Sequence, residues 1–500
     1  MLNADIFVIV LITILTLFLL AKWINVFSKK RYPPGPWGFP ILGHVPLLGD
    51  KPEKTHLQWW QQYGDVVRVR LGSWNAIIVN GYEAIKDALE RKDDVFSGRP
   101  SFVSVKATEE AFDGVAITNQ TDFSPKYLQL RKLLVTSLRK YIYKCTYSPE
   151  DVCREETEKL TEKLLRYPND EPVSIISEVE LAVESMIYQM IYGKGKENEV
   201  EAHVKEIVEA TKVINRFFGM GNIIDVVPWL RYIMKGTIER LKKAILLTDW
   251  IRKAKIEEHI NSSENGRMED LLDTVLALSK DLPEHENGNS VSRETLLTQL
   301  VVVQGAGFDP VSRIILFIIL YLAAYPDVQE RVQKEVDDVL GNNKAVSWKD
   351  RDKLPYLYAT IHEIMRITCI VPTTIPHYAL HDTILRGYDV DEGTVVVLNL
   401  HSVANEKSFW GDPEVFRPER LLDKNGKLDR ERCSHVMIFG AGRRICAGEL
   451  MAKMNIFIVT TTLMQRCSFK KAPGCDLDLE PIRSLVYSPK PFKVTVHGRY

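Results

Sequence analysis

The chain carries almost no net charge. Lys plus Arg number 65 and Asp plus Glu 66 in 500 residues, which leaves −1. A protein built to hold nucleic acid needs a basic excess against phosphate, so the balance argues against that class. Cysteine is sparse and odd in number: Cys145, Cys153, Cys369, Cys433, Cys446, Cys467 and Cys475. No CxxC pair and no Cys/His zinc spacing occurs among them. That argues against a disulfide framework and a zinc cluster, and fits a reducing compartment. No G-x-G-x-x-G segment follows a strand pattern, so NADPH or NADH has no fingerprint here. Internal repeats and low-complexity tracts are lacking too. What remains is an ordinary globular composition, 45% hydrophobic and 26% charged, long enough for a large core.

The first feature present is an apolar run. Ile6 to Ala21 is softened only by Thr13 and Thr16, and it continues through Trp23, Ile24, Val26 and Phe27 if Lys22 snorkels. As a helix it spans about 33 Å, enough for a bilayer core. Lys29, Lys30 and Arg31 follow, which predicts a cytosolic body. No small-x-small site follows the run, so a retained anchor is expected rather than a cleaved signal peptide. Pro33-Pro34-Gly35-Pro36-Trp37-Gly38-Phe39-Pro40 comes next and reads as a stiff spacer. The expected organisation is an anchor over 1–27, a basic and proline-rich hinge over 28–40, and a catalytic body over 41–500.

The body is expected to be mainly α with a minor β portion. Asp65 to Asn80 predicts two short strands around Gly72-Ser73, and Thr394 to Leu400 another. Ser292 reads as the N-cap of a long helix ending at Ala324, before Pro326. Asp281 to Ser292 reads as a polar surface loop. Leu450 to Gln465 has helical composition.

The most informative segment is Phe439-Gly440-Ala441-Gly442-Arg443-Arg444-Ile445-Cys446-Ala447-Gly448-Glu449. Its glycines let backbone approach something closely. Cys446 falls at a helix N-terminus beside two arginines, both of which favour a thiolate. A lone thiolate suits either a nucleophile or an axial metal ligand.

This segment resembles the cytochrome P-450 signature F-x-x-G-x-R-x-C-x-G at every fixed position. Glu363-Ile364-Met365-Arg366 resembles the family's E-x-x-R, and Phe416 to Arg420 its downstream partner. The resemblance runs over the whole chain, from the anchor to the C-terminus. It is nearest the animal microsomal branch handling steroids, polycyclic aromatics and drugs. It implies a triangular helical body with small β-sheets behind one transmembrane helix, in the endoplasmic reticulum membrane. It also implies haem b with the Cys446 thiolate as axial ligand, which favours O–O cleavage. Gly442 and Gly448 would pack close to the porphyrin, Phe439 near the sulfur, and Arg444 at a propionate. Arg131 matches a further propionate ligand, and Tyr127 stands where the family has tryptophan. His377 matches another propionate position; its alternative is a surface or strand histidine. Glu363, Arg366 and Arg420 would form a buried set whose partial loss impairs folding.

One departure stands out. Ala306-Gly307-Phe308-Asp309 resembles the distal A-G-x-D-T element, but Pro310 replaces the threonine. Proline removes the N–H to the Ala306 carbonyl, which predicts a kink, and it removes a hydroxyl that helps deliver protons. Water, Asp309 or a substrate hydroxyl would have to serve instead. The first expectation is therefore a monooxygenase fed by an NADPH-dependent flavoprotein reductase, with cytochrome b5 as a second donor. The alternative is a reductase-independent peroxide isomerase or dehydratase; a haem sensor ranks last. Arg131-Lys132, Arg139-Lys140 and Arg443 would dock the reductase, unless they are a solvated face. Phe102, Val103, Val105, Phe112, Phe217 and Phe218 are expected around a hydrophobic ligand, or else in the core. His362 is expected to be structural.

Overall fold

The computed structural model of the chain describes residues 30–106, 124–145, 147–218, 223–262, 269–279, 293–342 and 344–500, with Thr13 and Thr16, both helical. The anchor over 1–27 apart from those two threonines, the loop over 281–292 and the Ser292 cap therefore lie outside the described residues, as does Phe112.

The longer helices are α1 (Pro52–Tyr63), α2 (Pro125–Lys144), α3 (Pro149–Leu164), α4 (Ile176–Tyr192), α5 (Glu197–Phe218), α6 (Lys235–Ser262), α7 (Leu271–Ser279), α8 (Arg293–Ala324), α9 (Pro326–Leu340), α10 (Pro355–Thr368) and α11 (Glu449–Arg466). Prolines open α1, α2, α3, α9 and α10, where a missing N–H costs nothing. Ser148 and Asp151 form a reciprocal capping box on α3.

α8 runs through the middle and packs against α4, α7, α10 and α11. From Ile314 to Ala323 it is buried on every side, which is why its apolar residues follow no one-faced pattern. Burying each of these large side chains contributes roughly 1.5–3 kcal/mol. Among the described residues only Val302–Ala324 is long and apolar enough to cross a membrane, and most of it is inside this core. The helix continues unbroken through Pro310. The missing Pro310 N–H does not interrupt it.

Strands β1 (Val66–Leu71), β2 (Trp74–Val79), β3 (His377–Tyr378) and β6 (Val395–Leu398) form one sheet in the order β1-β2-β6-β3. β1 and β2 pair antiparallel as a hairpin, with Leu71 opposite Trp74. β2 and β6 pair parallel, Ala76 beside Val395. Two small hairpin-like pairs stand apart: β4 (Thr383–Leu385) with β5 (Tyr388–Val390), and β7 (Cys467–Lys471) with β8 (Val494–Gly498). Sequence patterning found the first sheet's β1, β2 and β6 but none of these short pairs.

The proline-rich hinge is not a free spacer. The Pro34 carbonyl accepts from Arg68 N–H at 2.8 Å, and His44 N–H donates to Arg70 O at 2.7 Å. A Cβ on Gly35 would fall 2.0 Å from the Arg68 carbonyl oxygen, so only glycine permits this seam. Just upstream, Lys30 pairs with Asp382 and Asp391, and Arg31 N–H donates to Asp389.

Candidate active site

The loop before α11 is shaped by two left-handed glycines, Gly440 (φ 72°) and Gly442 (φ 66°). Cys446 N–H closes it by donating to the Phe439 carbonyl at 2.9 Å. A Cβ on Gly442 would lie 1.7 Å from the Leu89 carbonyl oxygen. Gly442 is therefore needed for contact with the 87–91 turn. Around Gly448 a Cβ would meet nothing within 4 Å, and this residue does border the cavity.

Cys446 opens into a cavity of about 1090 Å³ whose lining is mostly apolar. Burial pushes its thiol pKa up; backbone N–H groups of Gly448 and Glu449 and the charge of Arg131 work against that. The helix N-terminus favours the thiolate as expected, and desolvation outweighs it in the free thiol. The neighbouring arginines contribute little because both turn away. Arg443 pairs with Asp93 at 2.7 Å on the surface, and Arg444 donates to Ser97 O at 2.8 Å with its guanidinium 4.0 Å above the Tyr127 ring.

Positive charge converges beside this loop. Arg131 donates to the Ile445 carbonyl, and Arg444 lies over Tyr127, which is itself almost wholly buried. Arg99 joins them, 6% exposed, donating to Ile375 O at 2.7 Å and Pro376 O at 3.1 Å. Burial and then the charge of Arg444 lower its pKa to about 9. His377 Nδ1 lies 2.6 Å from Phe96 O, and burial pushes its pKa well down, so it is neutral. Three arginines bordering one cavity fit a cofactor with anionic substituents. Sequence reasoning missed Arg99. Its only signal was the short Gly98-Arg99-Pro100 run.

Behind the loop, Glu363 is fully buried. It accepts from Arg366 Nε (2.8 Å) and Nη2 (2.7 Å), from Arg420 Nε (2.8 Å) and from Arg417 N–H (3.1 Å). Arg366 also donates to Ala404 O, and Arg420 to the carbonyls of Trp410, Asp412 and Val415. His362, buried and neutral, keeps Nδ1 on the Tyr358 carbonyl at 2.9 Å.

Across the cavity, α8 presents Ala306, Gly307 and Pro310. Pro310 cannot donate to the Ala306 carbonyl, and Ala306 stands open to the cavity. The Asp309 carboxylate is held by Arg313 at 2.9 Å, and Arg313 also binds Glu180 on α4 at 2.5 Å. Burial raises the Asp309 pKa, and Arg313 opposes it. Phe102 and Val105 border the cavity as expected. Phe217 does not; it packs in a satellite core with Ile224, Ile238 and Leu241. The side chain of Phe218 lies outside the described residues. Ser104 meets Asp225 twice, N–H to Oδ1 at 2.7 Å and hydroxyl to Oδ2 at 2.9 Å, pinning the 103–106 turn over the cavity.

A cysteine opening into an apolar cavity, with clustered arginines on one side and a long helix on the other, defines a haem-thiolate enzyme. The sequence model of the family described as Cytochrome P450 matches residues 33–496. The chain is 30% identical to cytochrome P450 1A1 of Cavia porcellus over 489 residues, covering 94% of this chain and 93% of that protein. It is 31% identical to cytochrome P450 1A2 of Mus musculus over 490 residues, covering 95% and 94%. This chain belongs to the cytochrome P450 family, and it is a monooxygenase using haem with the Cys446 thiolate as axial ligand.

Proposed function

We propose that the protein is a membrane-anchored monooxygenase of the endoplasmic reticulum. It inserts one oxygen atom from O2 into a steroid, lipid or aromatic xenobiotic, with electrons from NADPH by way of a flavoprotein reductase. The observation that carries this reading is the shared cavity: Cys446 and the Ala306–Pro310 turn of α8 border the same mostly apolar space.

Haem b, when bound, supplies the oxygen-activating iron. The residues around it do the rest. Arg99, Arg131 and Arg444 hold the propionates by charge, with Tyr127 stacked beneath Arg444. His377 keeps its Nδ1 proton on Phe96 O, which fixes the ring at the cavity wall. The N–H groups of Gly448 and Glu449 stabilise charge on the Cys446 sulfur. Phe439 borders the sulfur side of the cavity. The Ala306 carbonyl, with no i+4 donor, holds a water at the cavity edge where the threonine hydroxyl is missing. Asp309 fixes the turn through Arg313 and acts as a positioning residue. Lys132, Arg139 and Arg443 are exposed and form the docking face for an acidic reductase. Neutralising Lys132, Arg139 and Lys140 together raises the reductase KM; an unchanged value refutes the patch.

The main test offers a steroid and polycyclic panel to wild type and Pro310→Thr with reductase and labelled O2. NADPH consumed, hydrogen peroxide released and labelled product are measured together. Wild type is expected to make labelled product only with NADPH, and Pro310→Thr to release less peroxide per NADPH. NADPH consumption without labelled product from any compound refutes the proposal.

A further inference from the structure

The cavity has a polar corner that the chemistry at Cys446 leaves unused. α1 brings Glu53 and His56 to it, one helical turn apart, and the C-terminal segment brings Arg483 and Tyr487. α1 packs mainly on β1 and on the 400–404 turn, not on α8, so this corner is separate from Ala306 and Pro310. Glu53 is already satisfied. Its Oε1 accepts from Arg483 Nε at 2.8 Å and its Oε2 from the Tyr487 hydroxyl at 2.9 Å.

Two groups there are not satisfied. Arg483 spends Nε on Glu53 and Nη2 on Glu480 at 3.5 Å, and its Nη1 has no partner among the described residues. His56 is 6% exposed, and its buried Nδ1 has no partner among the described residues either. A buried unpaired nitrogen is costly, and an orphaned N–H costs more than an orphaned lone pair. The His56 proton therefore belongs on Nε2, which makes an N–H donor of the ring nitrogen that is not sealed off. Burial lowers the His56 pKa to about 4, so the ring is neutral. Both open groups in this corner are donors. Arg483 is already neutralised by Glu53, so an added anion would face the Glu53 charge.

We infer that His56 and Arg483 form a subsite that receives a neutral carbonyl oxygen on an otherwise apolar substrate. The inference rests on the proposed monooxygenase reading of the cavity and adds what one end of the substrate carries. The oxygen accepts from His56 Nε2–H and Arg483 Nη1–H, and the apolar remainder extends into the rest of the cavity. His56 is a specificity determinant here, not a group in the reaction.

The test uses the holoenzyme and three probes with one skeleton: androstane, androstanone and androstanyl sulfate. Binding is read from the shift of the haem Soret band. Wild type is expected to bind androstanone about tenfold more tightly than androstane, or about 1.4 kcal/mol. His56→Leu is expected to erase that ratio and leave the androstane Kd unchanged. His56→Gln, which keeps an N–H donor, is expected to retain most of it. A wild-type ratio near one overturns the subsite, as does equal loss of both ligands in His56→Leu. Tighter binding of the sulfate than the ketone overturns the neutral class. Androstane binding and turnover without a ketone preference sinks the subsite alone. No shift with any probe counts against the apolar-substrate reading itself, and the subsite falls with it.

Discussion

Adjacent residues in one short turn should differ sharply in what they contribute. Arg420 is 1% exposed in its side chain and faces Glu363 at 0%. Glu419, next to it, faces Arg331 across the surface, with exposures of 44% and 53%. Replacing Arg420 by Met removes one of two guanidinium groups from a buried carboxylate. It also strips donors from the carbonyls of Trp410, Asp412 and Val415. Breaking a buried pair from one side costs about 3–5 kcal/mol. Arg366 and the Arg417 N–H still hold Glu363, so about 4 kcal/mol is expected rather than more. Glu419→Gln keeps a carbonyl for the Tyr356 hydroxyl and loses only an exposed ion pair, worth about 0–1 kcal/mol. The assay is urea unfolding of holoprotein, followed by the Soret band of the ferrous carbonyl complex. Arg420→Met should shift the midpoint far down and Glu419→Gln hardly at all. Equal shifts would show that burial does not set the strength of this network, and the reasoning would fail.

Two further outcomes are expected. Gly442→Ala should abolish haem incorporation, since its Cβ would sit 1.7 Å from Leu89 O, while Gly440→Ala, with open space but φ 72°, should lose only about 1–2 kcal/mol; haem content per protein distinguishes them. Glu184 on α4 is fully buried, accepts from Gln304 Nε2 at 2.6 Å, and burial lifts its pKa from 4.5 to about 8. Its folded pKa lies above its unfolded one, so its contribution is fully present below the unfolded pKa and is lost as pH rises towards the folded value. Glu184→Gln should therefore flatten the stability profile between these two values. An unchanged slope in urea midpoints across that window would refute this.

The candidate site was legible where chemistry forces residues together in sequence. The Cys446 loop needs its glycines, arginine and cysteine within a few positions, so pattern alone found it. Glu363 and Arg366 share a helix face and were equally visible. Arg99 was not, because a buried arginine far along the chain looks like any surface arginine until the fold brings Arg131 and Arg444 beside it. The contact of Gly442 was hidden for a similar reason: Leu89, its close neighbour, is 353 positions away by the numbering. Asp309 was weighed as a proton donor because its partners were hidden. Arg313 is one turn on, but Glu180 arrives only with α4. Among elements, β1 and β2 announced themselves by β-branched content, whereas β4 and β5 are three residues each and β7 is largely polar; β8 carries Val494-Thr495-Val496, a signal the reading passed over.

The seam of residues 34–44 along β1 has a consequence for how copies of the protein meet. β1 is the outer strand of its sheet, and an outer strand with free N–H and carbonyl groups invites another chain to pair with it. Pro34 and His44 occupy two of those groups, at Arg68 and Arg70. The covering stretch is itself rich in proline, which has no N–H to pass on. Hydrogen bonding that could propagate from molecule to molecule therefore stops at this edge. The same prolines that keep the hinge from becoming a helix also shield the sheet against growth into an aggregate.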